Sequence, residues 1–431
     1  MMRSPGATLH CSGWRRYAIA VVLAITTAVV LNAYFDISSI VPWRPRLPTL
    51  QTFPVAPLTG ACDGIPPPKS DAHDDAADAA AAAAAPAPIP IPNLVHYVWL
   101  LADPSVLSFD FKVFVSVYSA HLYFRPDRIY FHTDAAPDLW ERAKTSGDPW
   151  TRRVLNIPGV TPNFVENPRE TSGGVEIDTF GAKSDFLRAD ALRRHGGIYL
   201  DVDAVPLRDV APLRRAGFAN VVGGAVALRT KHAGFVNTGV WLARPHSSLA
   251  EVFFRAMDAF YNGVWAVSVD ILTDLAYRLH AIPGEVLIVH PRAFAPTSWE
   301  LEDQERLFRP HGWSAGQRPL SAASDGGEDD GSVGVRLPGK EGLGNTCADA
   351  LSWLAKREER SDGAGPEGWE MDFSSTYVLH AFDDYADQVR GWDGKITLKY
   401  VLARQSNYAR AVYPAIWHAV EAGIISKEET Q

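Results

Sequence analysis

Beyond Pro92 the apolar residues of this chain fall into short runs with two different periods. Asn93–Leu100 (NLVHYVWL) is a continuous β-rich run after a proline stop and predicts a strand. Ile129–His132 predicts a second, and the apolar stretch Phe109–Tyr123 predicts a helix between them. Ser248–Tyr261 has the spacing of an amphipathic helix. Strand, helix, strand at this spacing predicts an α/β fold, Rossmann-type, with a mostly parallel central sheet.

The densest information lies between Lys183 and Asp203 (KSDFLRADALRRHGGIYLDVD). The pattern reads as a helix, a two-glycine stop at Gly196 and Gly197, and a short buried strand, Ile198–Leu200. Asp201 and Asp203 then leave the strand end as a D-x-D pair on one side, with Val202 on the other. Paired carboxylates there suit a hard divalent cation, and ligands bind beyond the carboxyl ends of strands in open α/β sheets. A D-x-D is also common without a metal. Asp185 and Arg188 share a helix face just upstream, either as an exposed ion pair or as part of the same site.

The charge balance, 41 basic against 50 acidic residues and a net −9, changes the picture little. Arginine pairs such as Arg193-Arg194 and Arg214-Arg215 are too sparse for a nucleic-acid stripe, and no nucleic-acid partner is expected. The N-terminus is more telling. Residues 17–35 carry no charge until Asp36 and follow Arg15 and Arg16, which predicts an uncleaved transmembrane signal anchor with a cytosolic tail at 1–16. A cleaved secretory signal is the alternative. Residues 36–92, rich in proline, alanine and aspartate, read as an extended stem. The catalytic domain is expected at 93–425, with a polar, low-complexity insertion at about 314–370. Cys62 and Cys347 either pair or stay free, and no N-glycosylation sequon occurs.

The Lys183–Asp203 block resembles glycosyltransferase family 32, the DXD group that includes fungal Golgi mannosyltransferases and animal α-1,4-galactosyltransferases. More distantly it is similar to glucosylating clostridial toxins. Lys183, Asp185, Arg188, Leu192, Gly196, Gly197, Ile198, Tyr199, Asp201 and Asp203 all fall on the pattern. The resemblance extends to Ile91–Trp99, to Gly234–Pro245, to Val286–Trp299 and to Tyr377–His380 followed by Gly391-Trp392. It implies a GT-A-like fold and a nucleoside diphosphate sugar donor, with Mn²⁺ or Mg²⁺ as cofactor and a glycan or glycolipid acceptor. It also implies retention at the anomeric carbon and a Golgi or ER membrane protein, single-pass type II, with a luminal catalytic domain. Trp99 becomes a candidate base platform with a core tryptophan as its alternative. Lys183, Asp185, Arg188, Tyr199, Asp201 and Asn237 become candidate donor-binding residues, and Asp185, Arg188, Asp201 and Asp203 candidate catalytic ones. Asp203, Asp201 and His380 are the metal-ligand candidates, with Asp203 direct and Asp201 nearer the ribose, and Trp392 is expected to close the donor pocket. Asp270 is a candidate for holding the acceptor.

Two other classes fit part of the pattern. Asp201-Val-Asp203-Ala-Val205 also matches the nucleophile strand of haloacid-dehalogenase phosphatases, but Asp383-Asp384 lacks an evident lysine partner and the Asp185–Arg188 helix has no role there. A non-catalytic, lectin-like relative is the third reading, and the intact acidic set opposes it.

Overall fold

The structure, a computed structural model, describes residues 89–225, 234–264, 266–311, 369–373 and 375–429. The expected anchor at 17–35, the stem up to residue 88, nearly all of the insertion and all three cysteines lie outside the described residues. Among the described residues, no helix is long and apolar enough to cross a membrane.

The first strand–helix–strand unit forms where the pattern placed it. β1 (Leu94–Val98) leads to helix α1 (Phe111–Phe124) and β2 (Arg128–Thr133). Asp110 accepts the Val113 N–H and so moves the helix start from the expected Phe109 to Phe111. Helices α2 (Pro137–Ser146) and α3 (Pro149–Leu155) precede β3 (Val160–Phe164), and α4 (Phe180–His195) runs into β4 (Gly197–Leu200). After β5 (Ala204–Pro206) and β6 (Asn220–Gly224) comes β7 (Val236–Ala243), then helices α5 (Ser248–Phe260) and α6 (Val267–His280). Strand β8 (Val286–Val289), helix α7 (Leu301–Phe308), strand β9 (Val378–His380) and helix α8 (Asn407–Glu421) complete the elements used below.

Among the described residues, seven strands form one sheet in the order β3-β2-β1-β4-β7-β6-β8. β7 runs antiparallel to both neighbours and the other pairings are parallel, so the sheet is mixed but mostly parallel. β5 and β9 form a separate antiparallel pair. Side chains alternate as the strand period requires. Ile198, Leu200, Val240 and Leu242 join the core on the α1 and α8 side, whereas Tyr199, Val222 and Trp241 join the core on the α4, α5 and α6 side.

Gly196 and Gly197 (φ 63° and 113°) turn α4 directly into the central strand. A Cβ on Gly197 would lie 2.5 Å from Leu94 O and 2.9 Å from His96 Nε2, so the strand approaches β1 only because that position is glycine. A relay of side chains backs this junction. Asn163 Nδ2 donates to His132 Nδ1 (2.8 Å), His132 faces His96 (3.0 Å), and His96 Nε2 meets Gly196 O at 2.8 Å. The carbonyl can only accept, so Nε2 of His96 carries the proton and its Nδ1 accepts from His132. Burial pushes the His96 pKa down to about 4, and both rings are held neutral.

Candidate active site

The carboxyl end of β4 delivers Asp201 and Asp203 into a turn. Strand pairing stops at Leu200, and Asp201 O accepts the Ala204 N–H at 2.9 Å. The carboxylates converge through this turn, which corrects the expectation that strand alternation alone aligns them. Two ladders hold it in place. Asp201 N–H donates to Gly239 O on β7 (2.8 Å), and Ala381 N–H donates to Asp203 O (3.1 Å). The β5–β9 register sets His380 opposite Ala204, next to Asp203. Asp201, Asp203 and His380 thereby each offer an atom within 4.8 Å of the others. His380 Nε2 stands 3.3 Å from Asp203 Oδ1 and 3.6 Å from Asp201 Oδ2.

Asn237 sets the tautomer of that histidine. Its Oδ1 accepts the Gly239 N–H at 2.7 Å and faces His380 Nδ1 at 3.0 Å. Nδ1 is therefore the donor, and Nε2 is left facing the carboxylates. Burial pushes the imidazole pKa down, but Asp203 and then Asp201 carry it above its ordinary value. Burial pushes Asp203 up, and His380 more than reverses that, holding the carboxyl below its ordinary range. Two carboxylate oxygens and one imidazole nitrogen, negative overall and already brought together, are a donor set that fits Mn²⁺ or Mg²⁺.

Arg188 organises the other side of Asp201. Its guanidinium pairs with Asp185 Oδ1 and Asp201 Oδ1, both at 3.2 Å, donates to Thr238 O at 2.8 Å, and lies over the Tyr199 ring. Tyr199 OH donates to the same Asp201 oxygen at 2.7 Å, which leaves Oδ2 turned toward His380. Phe180, Gly181, Ser184 and Arg188 are the α4 residues that line the cavity, the last three along an i, i+3, i+7 stripe. Lys183 and Asp185 flank Ser184, each turned about 100° from it on the helix, and neither lines the cavity. Lys183 Nζ lies over the Phe180 ring instead. Asp185 is 1 % exposed; burial pushes its carboxyl up to about 6 against the opposing pull of Arg188 and Ser268. Its position makes it a support for Arg188 rather than a group at the cavity surface.

The cavity over this site holds about 620 Å³. Trp99 lines it while also packing on Phe109 at 4.8 Å. Asn237 and Asp270 are in the lining. Trp392 is not; it stacks on Phe308 at 4.7 Å, and Phe382 and Tyr385 line the wall in its place. The sequence pattern also missed Lys112, whose Nζ meets Asp383 Oδ2 at 2.8 Å and Asp384 Oδ1 at 3.3 Å on the cavity wall. Burial, then the charge of Asp203, pushes the Asp383 carboxyl up to about 7. An acidic pair so close to Asp203 signals a required cation, but its partner lies too far away in the chain for spacing to reveal it.

Residues 118–219, which include the D-x-D turn and helix α4, match the family described as the glycosyltransferase sugar-binding region containing DXD motif. That segment is a glycosyltransferase-type region, similar to family 32. The chain is 24% identical over 216 residues to glucan organizing enzyme 1 of Cryptococcus neoformans var. grubii. That alignment covers 48% of this chain and 55% of the relative, so the chain spans about half the length of the curated relative it matches. Among solved structures it is similar to the PaToxG glycosyltransferase (17% identity, TM-score 0.33, 46% of this chain and 72% of that one). It is also similar to mouse xyloside xylosyltransferase 1 (12% identity, TM-score 0.28, 46% of this chain and 85% of that one).

Proposed function

We propose that this transferase moves a hexose, with retention and with help from a divalent cation, from a nucleoside diphosphate sugar to a glycan or glycolipid acceptor. The observation that carries the reading is the His380 ring, turned by Asn237 so that Nε2 faces Asp201 and Asp203. A bound Mn²⁺ or Mg²⁺ would supply Lewis-acid neutralisation of the departing diphosphate. The chain's own residues do the rest. Asp203, His380 and Asp201 Oδ2 would hold the cation. Arg188 and Tyr199 fix Asp201, and Trp99 offers its ring to the nucleotide base. Asp270 is placed to receive an acceptor hydroxyl. Lys112, rather than Lys183, is the lysine positioned at the cavity, where its charge opposes the accumulation of carboxylates.

Arg15-Arg16, the charge-free run 17–35 and the proline- and alanine-rich 36–92 support a type II Golgi or ER membrane protein with the catalytic region in the lumen. Protease protection of sealed microsomes checks that topology.

The purified protein with Mn²⁺ is expected to turn over one of GDP-mannose, UDP-galactose or UDP-N-acetylglucosamine, slowly with water and faster with acceptor. Chelation and Asp203→Ala should each abolish it. Phosphatase activity without sugar-nucleotide turnover would overturn the reading, and tight binding without turnover would point to a lectin-like relative.

A further inference from the structure

Trp299 and Phe382 come from distant segments and meet on the cavity wall beyond His380. Their rings pack edge to face, 5.8 Å apart at 74°, and Phe382 also stacks on His380 at 3.9 Å. The backbone of Phe382 is left-handed, with φ 52° and ψ 41°. Bulky side chains rarely accept that region, and such positions persist only where the surroundings enforce them. Among the described residues, Arg125, His246 and Arg404 are the other non-glycine cases, and none of them lines the cavity.

The enforcement comes from one fully buried side chain. Gln304 Nε2 donates to Ser298 O at 2.7 Å and to Ala381 O at 3.1 Å, the carbonyls just before Trp299 and Phe382. Asp303 grips Ser298 through its N–H and its hydroxyl (2.9 and 2.6 Å). Ala381 is in turn bonded to Asp203 O, which ties the aromatic pair to the D-x-D turn. Gln304 is thus a positioning residue for both rings. Asp270 and Asp384 add carboxylates to the same cavity.

Apolar rings beside hydrogen-bonding carboxylates match a pyranose, which has an apolar C–H face and a rim of hydroxyls. The transferase reading adds a position. The acceptor hydroxyl must come within about 3.5 Å of the anomeric carbon, and the contact of Phe382 with His380 sets a sugar on these rings beside the metal-ligand set. We propose that Trp299 and Phe382 form the acceptor subsite, packing on the C–H face of the acceptor's terminal pyranose while Asp270 and Asp384 take its hydroxyls. This inference rests on the proposed transfer reaction.

The test separates acceptor contact from donor chemistry. Saturation-transfer NMR with methyl β-glucopyranoside and methyl α-mannopyranoside is run on the full chain with Mn²⁺ and nucleoside diphosphate, alongside hydrolysis of the nucleotide sugar by water. Trp299→Leu should weaken saturation of one C–H face by about fivefold to tenfold, the worth of one aromatic contact, and leave hydrolysis near wild type. Phe382→Gly, which accepts the left-handed backbone, should weaken the same saturation if Phe382→Leu fails to fold, and because Phe382 stacks on His380 hydrolysis is compared in Trp299→Leu alone. Unchanged saturation in both variants, no saturation in the wild type, or a parallel loss of hydrolysis would overturn the subsite. Sugar contact that depends on Trp299 in a wild-type protein with no donor turnover would support the subsite and defeat the transferase reading instead.

Discussion

His380 and Asn237 form the hydrogen bond on which the geometry of the site depends. The amide oxygen of Asn237 is already committed to the Gly239 N–H, so it receives the Nδ1 proton of His380 over 3.0 Å and aligns Nε2 with Asp201 and Asp203. An asparagine in an edge loop would be a turn residue of no chemical consequence; here it lies on β7, two residues before Gly239, whose carbonyl accepts the Asp201 N–H.

Asn237→Ala should therefore reduce cation affinity without removing a ligand. Partners of this kind contribute about 10- to 100-fold to metal binding. Calorimetric titration of Mn²⁺ with nucleoside diphosphate present measures the loss, and an affinity equal to wild type would refute the orienting role.

Gly239 is glycine for want of space. A Cβ there would stand 2.5 Å from Asp201 Oδ2, 2.7 Å from His380 Nδ1 and closer still to His380 Cε1. Gly239→Ala should push the histidine off the carboxylates and abolish cation-dependent turnover, at a stability cost of about 1–3 kcal/mol typical of overpacking. Thermal unfolding and activity are read together. A variant with normal activity would mean the histidine tolerates displacement.

Much of this arrangement was legible because it is local. The D-x-D pair, its double glycine and the helix carrying Arg188 lie within one continuous segment, and period and capping place them together. The turn that bends Asp203 away from strand geometry was not legible, since an alternating D-x-D brings its carboxylates to one side whether the strand continues or turns. His380 was reachable only through resemblance, because the β5–β9 ladder that aligns it with Ala204 pairs segments far apart in the chain. Trp392 shows the opposite failure: the spacing matches a pattern, but its ring finds Phe308 and Tyr400 in the core before it can reach the cavity. Lys112 and Asp384 are separated by 272 residues, and nothing local in either marks the other.

That ion pair makes its own prediction. Asp383 is largely buried beside Asp203, and Lys112 supplies its nearest positive charge. Lys112→Met should destabilise the protein by about 1–3 kcal/mol, the cost of an uncompensated polar group. Asp383→Asn added to Lys112→Met should recover most of it. Urea unfolding of the four proteins gives the coupling, and additive effects would show that the pair contributes nothing as a pair.

The histidine relay at the β4 junction predicts sensitivity to acid. His96 has an ordinary pKa of 6.5 when unfolded and is lowered to about 4 by burial in the fold, with His132 displaced in the same direction. Between those values the unfolded chain binds a proton that the folded chain refuses, so stability falls as pH drops from about 6.5 toward about 4 and is complete above that window. Each such group contributes a slope of about 1.4 kcal/mol per pH unit inside the window. His96→Gln has no titrating ring yet retains an N–H able to reach the Gly196 carbonyl, so it should be less stable than wild type at neutral pH but show a shallower decline in acid. Urea midpoints between neutral pH and pH near 5 measure both slopes. Equal slopes for the two proteins would assign the acid sensitivity to other groups.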